Sequence, residues 1–170
     1  NRRNSACCFN NMARVIAVAN QKGGVGKTTT SINLAACLGV LGEKVLLIDI
    51  DPQGNSTSGV GIDKMMIKKT IYNVLVNEEP IEENIIETEY ENLYILPSNI
   101  QLAGAEVELV PAISREHKLK NAIEGIRDKY DFIIIDCPPS LGLLTLNALT
   151  AADTVLVPIQ CEYYALEGLG

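Results

Sequence analysis

The sequence has no long apolar run, no C-x-x-C pair and fewer basic than acidic residues. Its apolar runs fall far below the ~20 residues that a bilayer-spanning helix needs, so we predict no membrane span. The cysteine spacing argues against a disulfide scaffold or a zinc site and favours a reducing cytoplasm. With a formal net charge of −7, the chain is not expected to bind nucleic acid strongly by itself, because phosphate contacts need clustered lysine and arginine.

The start of the chain differs in composition from the rest. Residues 1–11 are polar apart from Cys7, Cys8 and Phe9, and they precede Met12, a natural initiator. We interpret them as an upstream extension or a mis-assigned start, with a cysteine-bearing tag for a metal or redox partner as the alternative. Residues 12–170 have the length and composition of one globular domain. Because the sequence stops a few residues into another helical pattern, we expect this domain to be truncated.

Strand and helix patterns alternate along residues 12–170. The strand patterns are continuous apolar runs, which indicates the α/β class, with a mostly parallel sheet covered by helices on both faces. The predicted strands are Val15–Ala19, Lys44–Ile48, Leu93–Leu96, Phe132–Asp136 and Thr154–Pro158. The predicted helices are Lys27–Leu41, Thr70–Val76, Gln101–Val110, Ser114–Arg127 and Ser140–Leu149, and residues 52–62 are expected to form a loop.

A glycine-rich loop separates the first strand from the first helix. Glycines let backbone N–H groups close around an anion, and the N-terminus of the helix adds its positive dipole end. The order of strand, loop and helix predicts a phosphate site in which Lys27 reaches the phosphates and Thr28 binds Mg²⁺. Where the general pattern has its first glycine, this chain has Gln21. The predicted phosphate-binding residues are Lys22, Gly23, Gly24, Val25, Gly26, Lys27, Thr28 and Thr29.

Three aspartates stand at the carboxyl ends of predicted strands, where parallel sheets bind ligands. Asp136 fits the acid that holds the shell of a magnesium ion. Asp49 and Asp51 are two residues apart and point the same way in extended backbone, so one can touch that shell while the other orients a water. The alternative for Asp49 and Asp51 is a turn and helix cap before Pro52, and for Asp136 a strand-end turn.

Lys22 is a second lysine in a small loop that already contains Lys27. Two ammonium groups so close together repel each other unless both face phosphates. Lys22 therefore either points to solvent or neutralises phosphate charge, which can belong to a second subunit. The residues themselves leave both alternatives open.

Four ordered motifs resemble the ParA/MinD superfamily of ATPases, and its ParA branch in particular. The loop at Lys22–Thr29 is similar to the variant phosphate loop of that superfamily. The other three motifs, Asp49–Asn55, Asp136–Gly142 and Gln160–Leu169, are similar to ParA proteins of the chromosomal Soj type. The resemblance extends over residues 12–170, nearly the whole chain.

The resemblance implies a P-loop NTPase fold and an ATP-driven switch that uses Mg²⁺. In the family, ATP joins two subunits into a dimer that binds DNA without sequence preference, and a ParB-type protein stimulates slow hydrolysis during chromosome or plasmid partitioning. It also implies a cytoplasmic protein that associates with the nucleoid when it holds ATP and does not need a membrane. By the same resemblance, the adenine pocket and the basic DNA-binding residues of the family are expected beyond Gly170.

The resemblance also implies roles for single residues. Lys22 matches the signature lysine that crosses the dimer to the partner's phosphates, and Asp51 matches the acid that positions the attacking water. Thr28 matches a direct ligand of Mg²⁺, and Asp136 matches the second acidic motif. Together with Asp49, Asp136 is expected to hold the metal through water. Two further matches are Gly24, where the subunits approach closely, and Lys27, which binds phosphate.

Two other functions share parts of this pattern. A MinD-like positioning ATPase needs a C-terminal amphipathic helix that binds membrane, and the Asp-Pro-Gln-Gly-Asn and Asp-Cys-Pro-Pro-Ser runs favour partitioning over that alternative. A redox protein similar to the nitrogenase iron protein needs two cysteines per subunit for a shared cluster. Cys137 follows Asp136, but no second cysteine has a matching place, and Cys37 is expected in the core.

Overall fold

The structure, a computed structural model, describes residues 12–160. The interpretations of residues 1–11 and of the motif beyond Gln160 therefore fall outside the described residues. Within residues 12–160, no helix is both long and apolar enough to cross a bilayer.

One six-stranded sheet lies at the centre of the described chain, with the strand order β3-β4-β2-β5-β1-β6. All neighbouring strands are parallel except β3, which pairs antiparallel with β4 at the edge. The predicted α/β class with a mostly parallel sheet is confirmed. The strands are β1 Arg14–Val18, β2 Val45–Asp49, β3 Ile86–Glu87, β4 Leu93–Leu96, β5 Phe132–Asp136 and β6 Thr154–Leu156.

Helices connect the strands. They are α1 Lys27–Val40, α2 Asn55–Gly59, α3 Ile71–Leu75, α4 Ile81–Asn84, α5 Leu102–Glu108, α6 Lys118–Glu124 and α7 Leu143–Ala151, with short 3₁₀ turns at Arg115–His117 and Arg127–Lys129. Two expectations were wrong. The segment 52–62, whose glycines and serines predicted a loop, contains α2, and Gly142 rather than Ser140 precedes α7.

The sheet separates two hydrophobic clusters, which explains the continuous apolar runs. Alternate residues of a strand face opposite sides, so Leu46 and Ile48 join the larger cluster, while Val45 and Leu47 pack in the smaller cluster with Ala35 of α1. Every residue of β2 is buried. Burial of a leucine or isoleucine side chain contributes about 1.5–3 kcal/mol, so these central strands form a rigid base for the loops that follow them.

The strand register brings the site together. Parallel pairing places Asp49 of β2 opposite Asp136 of β5, and Val18 of β1 opposite Asp136 on its other side. The residues that follow these strands therefore emerge at one edge of the sheet, which is hereafter the carboxyl edge. The expectation that the loop and the acids share this edge is met.

Candidate phosphate-binding site

The glycine-rich loop turns sharply between β1 and α1. Gly24 and Gly26 have φ angles of +73° and +87°, which glycine adopts without strain, and Gly26 directly precedes α1. No side chain caps α1, so the first N–H groups of this 14-residue helix are left to a ligand or to water. The loop geometry therefore fits a bound anion.

Lys27 lies beneath this loop rather than in solvent. Its side chain is buried, with 7% of the residue exposed, and its Nζ donates a hydrogen bond of 3.1 Å to the carbonyl oxygen of Lys22. The ammonium group thus curls back across the loop. A cation held there, next to open helix N–H groups, is placed to neutralise a phosphate.

Asp136 is the meeting point of two helices. Its carboxylate accepts hydrogen bonds from the hydroxyls of Thr28 at 2.9 Å, Ser31 at 3.0 Å and Ser56 at 2.7 Å. Burial raises the pKa of Asp136 above its usual range, and these hydrogen bonds oppose the rise. Oxygen ligands of this kind are those that Mg²⁺ prefers, so Thr28 and Asp136 fit a hydrated magnesium ion.

Asp51 faces the same cavity as the loop. It is mostly buried, and one carboxylate oxygen accepts the N–H of Gln53 at 2.9 Å. This is the turn that the alternative interpretation anticipated. Since Asp51 also borders the phosphate cavity, the turn and the functional role are compatible.

Asp49 has different surroundings. It is fully buried, and its Oδ2 accepts both the N–H and the hydroxyl of Thr57 at 2.8 Å, while its Oδ1 accepts the N–H of Asp51 at 3.2 Å. Burial raises its pKa to about 7, against the lowering effect of the Thr57 hydrogen bonds. Neither Asp49 nor Asp136 lines the phosphate cavity, but Asp136 accepts a hydrogen bond from Thr28, which does line it, whereas Asp49 accepts its hydrogen bonds from Thr57 and Asp51.

The phosphate cavity has a volume of about 330 Å³. An ideal Cβ on Gly23, Gly24 or Gly26 would meet no atom within 4 Å, so space above the loop is open. Lys27 brings an ammonium group to this space, Thr28 and Thr29 bring hydroxyls, and Asp51 brings a carboxylate. Together with the first N–H groups of α1, these groups suit a polyphosphate with a divalent cation. The lining residues are Gly23, Gly24, Gly26, Lys27, Thr28, Thr29, Asp51, Asn55 and Pro139.

Lys22 is exposed and borders a different cavity, of about 600 Å³, together with Val25. Its N–H donates to the Asn20 side chain at 2.9 Å. Gln160, which is the first residue of the fourth motif and the last described residue of the chain, donates to the carbonyl of Gly24 at 2.9 Å. Two of the predicted phosphate-binding residues, Lys22 and Val25, thus lie beside the phosphate cavity of their own subunit rather than in its lining.

Sequence reasoning missed several polar residues at this edge. Ser31 follows Thr28 by one helical turn, and this i, i+3 spacing could have revealed it. Asn55, Ser56 and Thr57 lie on α2, which was predicted to be a loop, so no helical spacing was available to place them. Their positions depend on how α2 packs against β2 and β5.

The comparisons with known proteins agree with this geometry. A family model described as "AAA domain" matches residues 13–170. The sporulation initiation inhibitor protein Soj of Bacillus subtilis is 62% identical over 158 residues, which cover 93% of this chain and 62% of that protein. The chromosome partitioning protein ParA of Myxococcus xanthus is 58% identical, over 93% of this chain and 56% of that protein.

The chain belongs to the ParA/MinD family. It spans about three fifths of the length of the curated relatives it matches.

Solved structures show the same fold. A structure named cobyrinic acid a,c-diamide synthase from Mycobacterium smegmatis, with a bound ATP analogue and magnesium, is 47% identical, with a TM-score of 0.89 over 93% of this chain and 64% of that chain. A plasmid partition protein from Borrelia burgdorferi is 35% identical, with a TM-score of 0.80 over 93% of this chain and 69% of that chain. Proteins of different names thus share this fold.

The cysteines give no support to a redox centre within residues 12–160. Cys37 is exposed on α1, so its predicted place in the core was wrong, and Cys137 is buried after β5. Burial, followed by the charge of Asp136, raises the pKa of the Cys137 thiol to about 12. No group of three or more histidine, cysteine and acidic side chains in this part of the chain is arranged to hold a metal ion.

Proposed function

We propose that this chain is the nucleotide-binding part of an ATPase that acts as a switch in chromosome or plasmid partitioning. The observation that carries the proposal is the convergence of Lys27, Thr28 and Asp51 on one phosphate cavity, with Asp136 bonded to Thr28. A relative named chromosome partitioning protein ParA is 58% identical, which supports the biological part of the proposal.

ATP and Mg²⁺ are the ligands that fit the cavity. A related structure contains an ATP analogue with magnesium. A bound magnesium ion would supply positive charge that offsets the charge developing on the phosphates during transfer. Thr28 would hold it directly, and Asp136, already bonded to Thr28, would hold it through water. The sequence also predicts Asp49 as a second acid of this shell, and that role is the alternative to the positioning role proposed for Asp49 below.

Hydrolysis needs positioning more than covalent chemistry. The loop amides and Lys27 would bind the phosphates, and Asp51, which lines the same cavity, would orient the attacking water. We expect slow turnover, suited to a switch, because the site supplies orientation and charge but no strong base among the cavity residues.

A dimer would complete the site through Lys22. Its backbone carbonyl binds Lys27 of the same loop, but its side chain borders the neighbouring cavity rather than the phosphate cavity. This placement supports a role for Lys22 at the phosphates of a second subunit. Gly24, exposed and without a side chain, would allow the two loops to approach closely.

The partners follow from the family. We propose a ParB-type protein that stimulates hydrolysis, and non-specific DNA that the complete ATP-bound dimer binds on the nucleoid, in the cytoplasm. The partitioning names of the Myxococcus xanthus relative and of the Borrelia burgdorferi structure favour this function over a MinD-like membrane switch. The synthase name of one similar structure suggests a different use of ATP, but its identity of 47% is lower than the 58% of the Myxococcus xanthus relative.

Two measurements on the complete gene product test this function. Wild-type protein should hydrolyse ATP only with Mg²⁺ and should dimerise only with ATP, by light scattering. The Lys22→Ala variant should lose ATP-dependent dimerisation, while monomer binding of a fluorescent ATP analogue stays within about twofold, because its side chain lies outside its own phosphate cavity.

The matched control is Lys120→Ala, which removes an exposed lysine from α6. This variant should dimerise like the wild type. A Lys22→Ala protein that still dimerises with ATP would refute the cross-subunit role, and a wild type without Mg²⁺-dependent hydrolysis would refute the ATPase itself.

A further inference from the structure

The short helix α2 is clamped against the ends of two strands. Gly54, which precedes it, has a φ angle of +62°, and an added Cβ would lie 2.8 Å from the carbonyl oxygen of Ser98. Only glycine satisfies both conditions at this position. The start of α2 therefore rests directly on the backbone that follows β4.

Thr57 forms the second part of this clamp. The residue is fully buried, and its hydroxyl donates to Oδ2 of Asp49 at 2.8 Å and accepts the N–H of Ser98 at 2.9 Å. Its own N–H also donates to Asp49 at 2.8 Å. A hydroxyl that donates and accepts in this way has a fixed orientation, so Thr57 ties α2 to β2 and to the segment after β4 at once.

Asn55 and Ser56, the residues of α2 nearest the phosphate site, directly precede Thr57 in the chain. Ser56 donates to Asp136 at 2.7 Å, and Asn55 borders the phosphate cavity with Asp51. Thr57 itself does not border that cavity. A shift of α2 would therefore move Ser56 and Asn55 relative to the loop while leaving the loop unchanged.

We propose that Thr57 is a positioning residue for the ATPase reaction, and that Asp49 acts through Thr57 rather than as a ligand of the metal shell. The proposal rests on the proposed function, because it concerns the geometry of that same site. Both oxygens of Asp49 already accept hydrogen bonds, two from Thr57 and one from Asp51, and these bonds hold the turn and α2 in one arrangement.

The test compares Thr57→Val with Thr57→Ser in the complete gene product. Valine keeps the shape and the N–H bond but removes the hydroxyl, and serine keeps the hydroxyl. Because small misplacements of positioning groups cost up to ~100-fold in rate, we expect Thr57→Val to lower kcat by about tenfold or more and Thr57→Ser to recover most of it. The affinity for the nucleotide and the Mg²⁺ concentration at half-maximal rate should stay within about twofold in both variants.

The Asp49→Asn variant distinguishes a positioning role of Asp49 from a role in the metal shell. It also provides the test if Thr57→Val does not fold. Asparagine keeps Oδ1 for Asp51 but cannot accept two bonds from Thr57 on its amide nitrogen. A positioning role predicts a lower kcat with an unchanged Mg²⁺ requirement. A metal-shell role predicts a Mg²⁺ requirement raised by about tenfold or more, in line with the loss seen when metal-site partners are removed.

Thr88→Val is the matched control, because Thr88 is a buried threonine whose hydroxyl donates to Leu93 at 2.8 Å, near β3 at the sheet edge. It should lose stability with little change in kcat. The inference is overturned if Thr57→Val keeps the wild-type kcat, if Thr57→Ser loses as much as Thr57→Val, or if Asp49→Asn shifts the Mg²⁺ requirement. A wild type that does not hydrolyse ATP overturns the proposed function itself, and this inference with it.

Discussion

The two edges of the sheet use polar residues in opposite ways. At the carboxyl edge, hydroxyls and N–H groups donate to buried carboxylates, as Thr57 does to Asp49 and Ser56 to Asp136. At the opposite edge, where the parallel strands begin and which is hereafter the amino edge, charged groups pair near the surface. An example is the 2.6 Å contact between Arg127 and Asp153. There Lys44 also lies over the rings of Tyr94 and Tyr130, at 5.1 and 5.3 Å from their centroids.

This difference indicates that polar groups at the carboxyl edge serve function and that those at the amino edge serve stability. Burial raises the pKa of Asp49 and Asp136, and the neutral donors oppose this rise without supplying a positive charge, so the site favours the arrival of a cation. At the amino edge the ion pair and the cation–π contacts already compensate the charges, so that edge does not favour the arrival of a cation. Acids whose pKa is raised by burial are typical of functional sites, and here Asp49 and Asp136 lie at the edge that carries the glycine-rich loop.

The largest expected effect is at Asp51. Asp51→Ala in the complete gene product should lower kcat for ATP hydrolysis by about 100-fold or more, because the group that orients the water is removed, while ATP-dependent dimerisation persists. The control is Asp131→Ala at the amino edge, where the carboxylate accepts the N–H of Lys44. If Asp51→Ala hydrolyses ATP at the wild-type rate, or Asp131→Ala loses as much, the functional difference between the edges disappears.

An intermediate effect concerns pH. The pKa of Asp49 rises from 3.8 to about 7 on folding, so the folded state binds this proton more tightly and the apoprotein gains stability as the pH falls through 7. Without Mg²⁺, the melting temperature should rise by a few degrees between about pH 8 and about pH 6.

Asp49→Asn cannot take up this proton, so its melting temperature should change less over the same interval. An equal pH dependence in this variant would show that other groups carry it. The amino edge supplies the comparison, since the pKa of Asp153 is lowered despite partial burial, by the Val15 N–H and Arg127, and its titration therefore lies below this interval.

The smallest effect is expected at the amino edge itself. Arg127→Met keeps much of the aliphatic stem but removes the pair with Asp153 and the bond to the carbonyl of Ala13. Since Asp153 is 41% exposed in its side chain, we expect a loss of about 1 kcal/mol or less in the free energy of unfolding, measured in urea. ATP hydrolysis should be unchanged, and a clear loss would connect the amino edge to the site.

Much of the fold followed from local patterns. The strand at Leu93–Leu96 and the strand at Phe132–Asp136 have the predicted bounds, because a short apolar run that ends at polar residues or proline shows where a strand begins and ends. The short edge strand β3 and the helix α2 were missed. Each has five residues or fewer, and their conformations depend on the neighbours that they pack against.

In the candidate site, too, some features follow from the sequence alone and others depend on the tertiary structure. By itself, the sequence determined the glycine-rich loop with Lys27 and Thr28, and the placement of three aspartates at one sheet edge, because glycine conformations and strand ends are local properties. The spacing of Asp49 and Asp51 left open which of them faces the ligand, and the tertiary structure decided it because the two differ in what packs around them: Asp51 borders the phosphate cavity, and Asp49 is enclosed by Thr57. Burial and hydrogen-bond partners come from contacts distant in sequence, and no spacing of residues encodes them.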